Sequence, residues 1–129
     1  MLINDFFTPI HFSENVIEPV KDKALEFSAE IRINPEHGIF KGHFPSQPIV
    51  PGVTYVEMIK EIMELVFRKK LFLKEASSIK FLAITNPVIN ADLIFNFRLI
   101  LKDDNSITSK VSILSDSKIV IKFDGEFSS

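Results

Sequence analysis

One helical stripe, set among segments that alternate with a period of two, most constrains how this chain can fold. From about Val53 to Lys70, Tyr55, Val56, Ile59, Ile62, Met63, Val66 and Phe67 recur at spacings of three and four, so one helix face is apolar. At 1.5 Å per residue such a helix is roughly 27 Å long. Glu64 and Arg68 stand one turn apart on the opposite side, the orientation that favours an ion pair, and Arg68-Lys69-Lys70 suits the negative end of the helix dipole. Ahead of the helix, Leu25, Phe27, Ala29, Ile31 and Ile33 alternate with Glu26, Ser28, Glu30 and Arg32, which is a half-buried strand ended by Asn34-Pro35. After it, strands are expected at about 77–84, 91–102, 106–114 and 118–127. The turn residues Asp103 to Ser106 and Ser115 to Ser117 join the last three as consecutive hairpins. The order strand, long helix, hairpin-linked strands predicts an α+β fold with one helix packed on an antiparallel sheet.

The 129 residues fit one domain, with no linker, repeat or low-complexity tract. Cysteine is absent, which excludes disulfides and thiolate chemistry. The net charge is −2 with the two signs intermixed, so nucleic acid is not an expected partner. No apolar run approaches the roughly 18 residues of a membrane span. The first residues lack a basic signal-peptide start, and a cytoplasmic location is expected. Thirteen phenylalanines against one tyrosine and no tryptophan point to an apolar interior or an apolar tunnel.

Between the first strand and the helix, glycine, proline and histidine concentrate in Gly42-His43-Phe44-Pro45-Ser46-Gln47-Pro48-Ile49-Val50-Pro51-Gly52-Val53. Prolines restrict φ and stiffen a loop. A glycine at a helix entrance lets a ligand approach backbone N–H groups. Histidine is the side chain whose ordinary pKa suits proton transfer near neutrality. On residues alone His43 fits either a hydrogen-bonded loop histidine or an acid/base group. Glu57 fits the last position of a Thr54-Tyr55-Val56-Glu57 capping box on a solvated face beside Glu61, Glu64 and Arg68. His37, in the turn Pro35-Glu36-His37-Gly38, is expected to be exposed, and His11 lies in an ambiguous N-terminal segment. The three histidines have no metal-ligand spacing, so no metal site is expected.

The run His43-Phe44-Pro45-x-x-Pro48-Ile49-x-Pro51-Gly52-Val53 followed by Val56-Glu57 resembles the signature of the 3-hydroxyacyl-(acyl-carrier-protein) dehydratases of fatty-acid synthesis. The strong resemblance covers about Phe40 to Met58, and a weaker one continues through Ile79-Lys80-Phe81 and Asn86-Pro87-Val88. It implies a hot-dog fold, a curved antiparallel sheet wrapped around one long central helix. It also implies a homodimer or a higher assembly such as a trimer of dimers, with histidine and carboxylate supplied by different subunits. In that reading His43 is the general base, Glu57 the acid that protonates the departing hydroxyl, and the Gly52 N–H the donor to the thioester carbonyl. Phe44, Pro51, Val53 and Glu61 contact substrate. The partner is acyl carrier protein bearing a phosphopantetheine-linked acyl chain, and no metal or redox cofactor is required. Three departures stand out: Glu61 where the family usually has glutamine, Ser46 in place of a glycine, and no counterpart in Met1 to Pro19 of the family's N-terminal histidine- and tyrosine-bearing segment. A second carboxylate at Glu61 is equally able to favour the acid form of Glu57, to alter substrate fit or to mark a divergent function. Two alternatives remain open, a thioesterase on the same fold and a non-catalytic acyl-binding or partner subunit.

Overall fold

The computed structural model describes residues 2–14, 18–42 and 48–129. In chain order the elements are β1 (Phe7–Phe12), β2 (Ala24–Ile33), a short α1 (Ile39–Gly42), α2 (Gly52–Phe67), β3 (Phe72–Phe81), β4 (Asp92–Leu101), β5 (Ile107–Ser115) and β6 (Lys118–Ser128). The six strands form one antiparallel sheet in the order β1-β2-β4-β5-β6-β3. The predicted α+β hot-dog arrangement is what forms, with α2 burying its stripe on one face of the sheet.

Alternation translates directly into burial. In β2 Phe27, Ala29, Ile31 and Ile33 are buried. In β4 the buried set is Leu93, Phe95, Phe97 and Leu99, with Asn96 and Arg98 on the outer face. From α2 come Tyr55, Met58, Ile59, Ile62, Met63 and Val66. Phe6, Phe7, Phe27, Phe40, Phe95, Phe97, Phe123 and Phe127 all lie in this core, so most of the phenylalanine content is ordinary packing. Phe27 and Phe97 stack with centroids 4.6 Å apart, a geometry that adds to area burial. The β5–β6 hairpin closes on Asp116 and Ser117, both at positive φ, as a two-residue turn matching the twist of its strands requires.

Four features differ from expectation. First, β1 is a strand that alternation does not announce, because Pro9 interrupts it; proline is tolerated there since β1 is a sheet edge. Second, β3 runs over 72–81 and not 77–84: β6 extends far enough to pair with Phe72, and at the other end Leu82 and Ala83 both donate to the Val120 carbonyl, which ends the ladder. Third, α2 stops at Phe67 because Arg68 turns left-handed (φ 55°) as its C-cap. Glu64 therefore accepts from the Leu71 N–H (2.9 Å) and forms an ion pair with Lys60 (3.8 Å) instead of pairing with Arg68. Fourth, His37 is largely buried: it accepts from the Ile39 N–H at Nδ1 (3.1 Å), meets Asp5 at Nε2 (3.1 Å) and packs edge-on against Phe6.

Candidate active site

The helix entrance is locked from the side. Pro51, extended at φ −65° and ψ 140°, occupies the cap position of α2, and no side chain caps the helix there. Thr54, buried inside the first turn, donates its hydroxyl to the Pro51 carbonyl (2.6 Å). Tyr55 donates to the Thr85 hydroxyl (2.7 Å), while the Val50 N–H donates to the Thr85 carbonyl (3.0 Å), so one residue of the β3–β4 loop holds both sides of the entrance. The expected Thr54–Glu57 capping box does not form, because the cap lies three residues earlier. The Glu57 carboxyl is thus left for other contacts.

Glu57 sits one turn into α2, with 39% of its side chain exposed and Lys60 Nζ at 3.5 Å. One turn further on, Glu61 is as buried as the core, at 1% exposure. The Leu2 N–H donates to both of its oxygens (2.9 and 2.8 Å), and the Ile3 N–H donates to Oε1 (2.8 Å). The expected solvated acidic face is therefore wrong at this position: the N-terminal segment folds across it.

The two carboxyls are driven apart in acidity. Burial, with the hydrogen bond shared with Glu61, raises Glu57 above the ordinary carboxylate range, and Lys60 offsets only part of that. Burial alone would also raise Glu61. The hydrogen bonds from Glu57 and from the Leu2 and Ile3 amides outweigh it and hold Glu61 below its ordinary value. Two neighbouring carboxyls separated in this way are a weaker acid and a stronger one, an arrangement that suits proton transfer by the weaker.

Of the other expected site residues, Pro51 is buried, Gly52 half-buried and Val53 77% exposed beside the entrance. The ring of Phe81 makes the close approach to Gly52: a Cβ there would lie 2.8 Å from its Cε1. His43 and Phe44 lie outside the described residues. The sequence did not point to Thr85, Phe81 or the Leu2 and Ile3 amides. Backbone donors leave no mark on residue type, and Thr85 looks like any loop threonine. A concavity of about 710 Å³ opens elsewhere, on the sheet face away from α2, lined by polar residues including Ser28, Asn96, Lys110 and Lys122. Among the described residues no cluster of His, Cys, Asp or Glu could hold a metal ion, and no helix is long and apolar enough to cross a membrane.

The ApeI-like family, described as ApeI dehydratase, matches residues 18–119, which span β2, α2, the loop around Thr85 and the sheet through the start of β6. The chain belongs to the ApeI-like dehydratase family. Relatives of this ApeI-like chain include the 3-hydroxyacyl-[acyl-carrier-protein] dehydratase FabZ of Coxiella burnetii, 29% identical over 92% of this chain and 78% of that protein. FabZ of Mannheimia succiniciproducens is 29% identical over 83% and 73%. Among solved structures, an uncharacterized protein from Erwinia carotovora superposes with a TM-score of 0.67 at 20% identity, over 95% of this chain and 94% of that one. A chain of the dehydratase heterocomplex ApeI:P from Xenorhabdus doucetiae gives 0.58 at 14% identity, over 88% and 100%. The putative thioesterase yhdA of Lactococcus lactis gives 0.62 at 9% identity, over 82% and 79%. Likeness at that level reflects the shared fold, which hosts more than one chemistry.

Proposed function

We propose that this ApeI-like protein dehydrates 3-hydroxyacyl thioesters carried on acyl carrier protein, giving trans-2-enoyl thioesters in fatty-acid or related lipid or polyketide-like synthesis in the cytoplasm. The observation that carries the reading is Glu57: free of the helix cap, one turn inside the entrance, and biased toward its protonated form. Expelling hydroxide needs such a proton donor. His43, by resemblance the base, takes the α-proton. The C–O bond at the β-carbon breaks as Glu57 gives its proton to the departing oxygen, and the electrons of the Cα–H bond become the new double bond. One water leaves, and the thioester stays intact. The Gly52 N–H, at the first residue of α2, is the donor that answers the charge developing on the thioester oxygen. Phe44, Pro51 and Val53 stand in the substrate-contact roles that the resemblance gives them.

The same proposal includes a dimer that completes the site. Supporting it, β3 is an edge strand whose Phe72, Leu73 and Phe81 are exposed, and Ile84, Val88 and Ile89 beyond it are more exposed still. An apolar edge of this kind favours pairing with another chain. The heterocomplex neighbour supports a second arrangement, in which a different chain fills the partner's place.

The deciding assay offers purified protein 3-hydroxyacyl-carrier-protein, or its pantetheine analogue, over several chain lengths. Enoyl product with no free thiol is expected, and His43→Ala should abolish it. Released thiol would indicate a thioesterase. Unchanged substrate at every length would overturn the proposal.

A further inference from the structure

We infer that Glu61 is a positioning residue for the proposed reaction: the N-terminal segment clamps it as a fixed anion, and that anion orients the Glu57 carboxyl as proton donor. This rests on the dehydratase reading and assigns Glu61 a different task from substrate contact. The geometry leaves little choice. Glu61 is 1% exposed, and N–H groups from Leu2 and Ile3 reach its two oxygens at 2.8–2.9 Å. Backbone donors aimed at a buried carboxyl favour its charged form. Glu57, four residues earlier, is its neighbour on the helix surface. A carboxyl can bond to a carboxylate only by donating a proton, so the fixed anion selects the protonated form of Glu57 and aims it. The opposite acidity shifts of the two groups agree.

The arrangement also resets itself. Once Glu57 has given its proton to the leaving oxygen, two adjacent carboxylates face each other, and their repulsion is relieved when Glu57 regains the proton that the base removed from the α-carbon. A glutamine at 61 would reverse the logic, because its amide N–H donates to Glu57 and stabilises the carboxylate. The N-terminal segment thereby becomes part of the site through backbone alone. Among the described residues the charged group facing the pair on its own helix is Lys60, and the N-terminal segment presents amides, since Asp5 turns to His37.

The test is Glu61→Gln, an isosteric change, with Ile3→Pro as a second variant that removes one amide donor and leaves the helix untouched. Folding is checked by thermal melting. In Glu61→Gln, kcat near pH 8 should fall about tenfold or more with KM within about twofold, and the basic limb of the kcat–pH profile should move to lower pH. Carboxyl-carbon NMR, which needs no turnover, should show Glu57 titrating at lower pH than in the native protein, with Ile3→Pro moving it the same way. An unmoved Glu57 titration in a folded Glu61→Gln overturns the inference whatever the activity. If the native protein leaves substrate unchanged yet the titration shifts, the dehydratase reading fails and the clamp stands.

Discussion

Adding one methyl group at Gly125 should loosen the edge of the sheet that the dimer proposal uses. Gly125 lies in β6 opposite Ala76 of β3 and is buried. A Cβ built there would stand 2.5 Å from Phe123 Cζ and 2.8 Å from the Glu75 carbonyl oxygen, closer than real contacts of that kind. Neither neighbour yields cheaply. Phe123 is buried in the core, and the Glu75 oxygen is backbone, so β3 itself must shift. The Gly125 carbonyl meanwhile accepts from the buried Ser109 hydroxyl (3.0 Å), which resists movement of β6 in the other direction. Overpacking of this kind costs about 1–3 kcal/mol. For a chain of this size, that is a fall in Tm of about 3–15 °C. Gly38→Ala is the control: nothing lies within 4 Å and φ is not positive, so it should be neutral or slightly stabilising. The assay is thermal melting of both variants, with amide exchange to show whether the loss concentrates in β3. A Gly125→Ala protein melting within about 1 °C of the native one would refute the packing argument.

Thr85→Val should cost about 1–3 kcal/mol by leaving the buried Tyr55 hydroxyl without its acceptor, and more than Tyr55→Phe, which removes both the donor and its need; chemical denaturation of the two variants compares them. In the β4–β5 turn, hydrogen bonds from the Ser106 hydroxyl and N–H lower Asp104 to about 2. A depressed carboxyl contributes stability that is present above its unfolded pKa near 3.8 and is lost as pH falls through about 2. Ser106→Ala should raise the Asp104 titration measured by NMR and flatten stability across that window. Glu61, also depressed, should contribute in the same direction, so Glu61→Gln should melt with less dependence on pH below the ordinary glutamate range. Phe72→Asp places a charge on the exposed edge of β3 and should shift the protein toward monomer in light scattering, with loss of turnover at unchanged secondary structure.

The parts of this fold that read directly from residue order are those where one face of an element meets the core along its whole length. β2, β4 and the stripe of α2 are of that kind, and each burial pattern follows the alternation or the three-and-four spacing. β1 and the start of β3 do not, since edge strands need bury little and are defined by the strand they pair with. The His43-to-Glu57 run likewise carries its family in its residues, and the family match agrees with it.

The chemistry of the acidic face was decided by tertiary structure. Glu57, Glu61 and Glu64 repeat on one side of α2 and read as a wet surface, yet Glu61 is sealed by a segment 58 residues away in sequence. What seals it is a pair of backbone N–H groups, and every residue but proline has one. Residue identity sets which carboxyls stand one turn apart on the helix. The long-range fold sets which of them loses water and gains amide donors, and so which is the weaker acid and which the stronger.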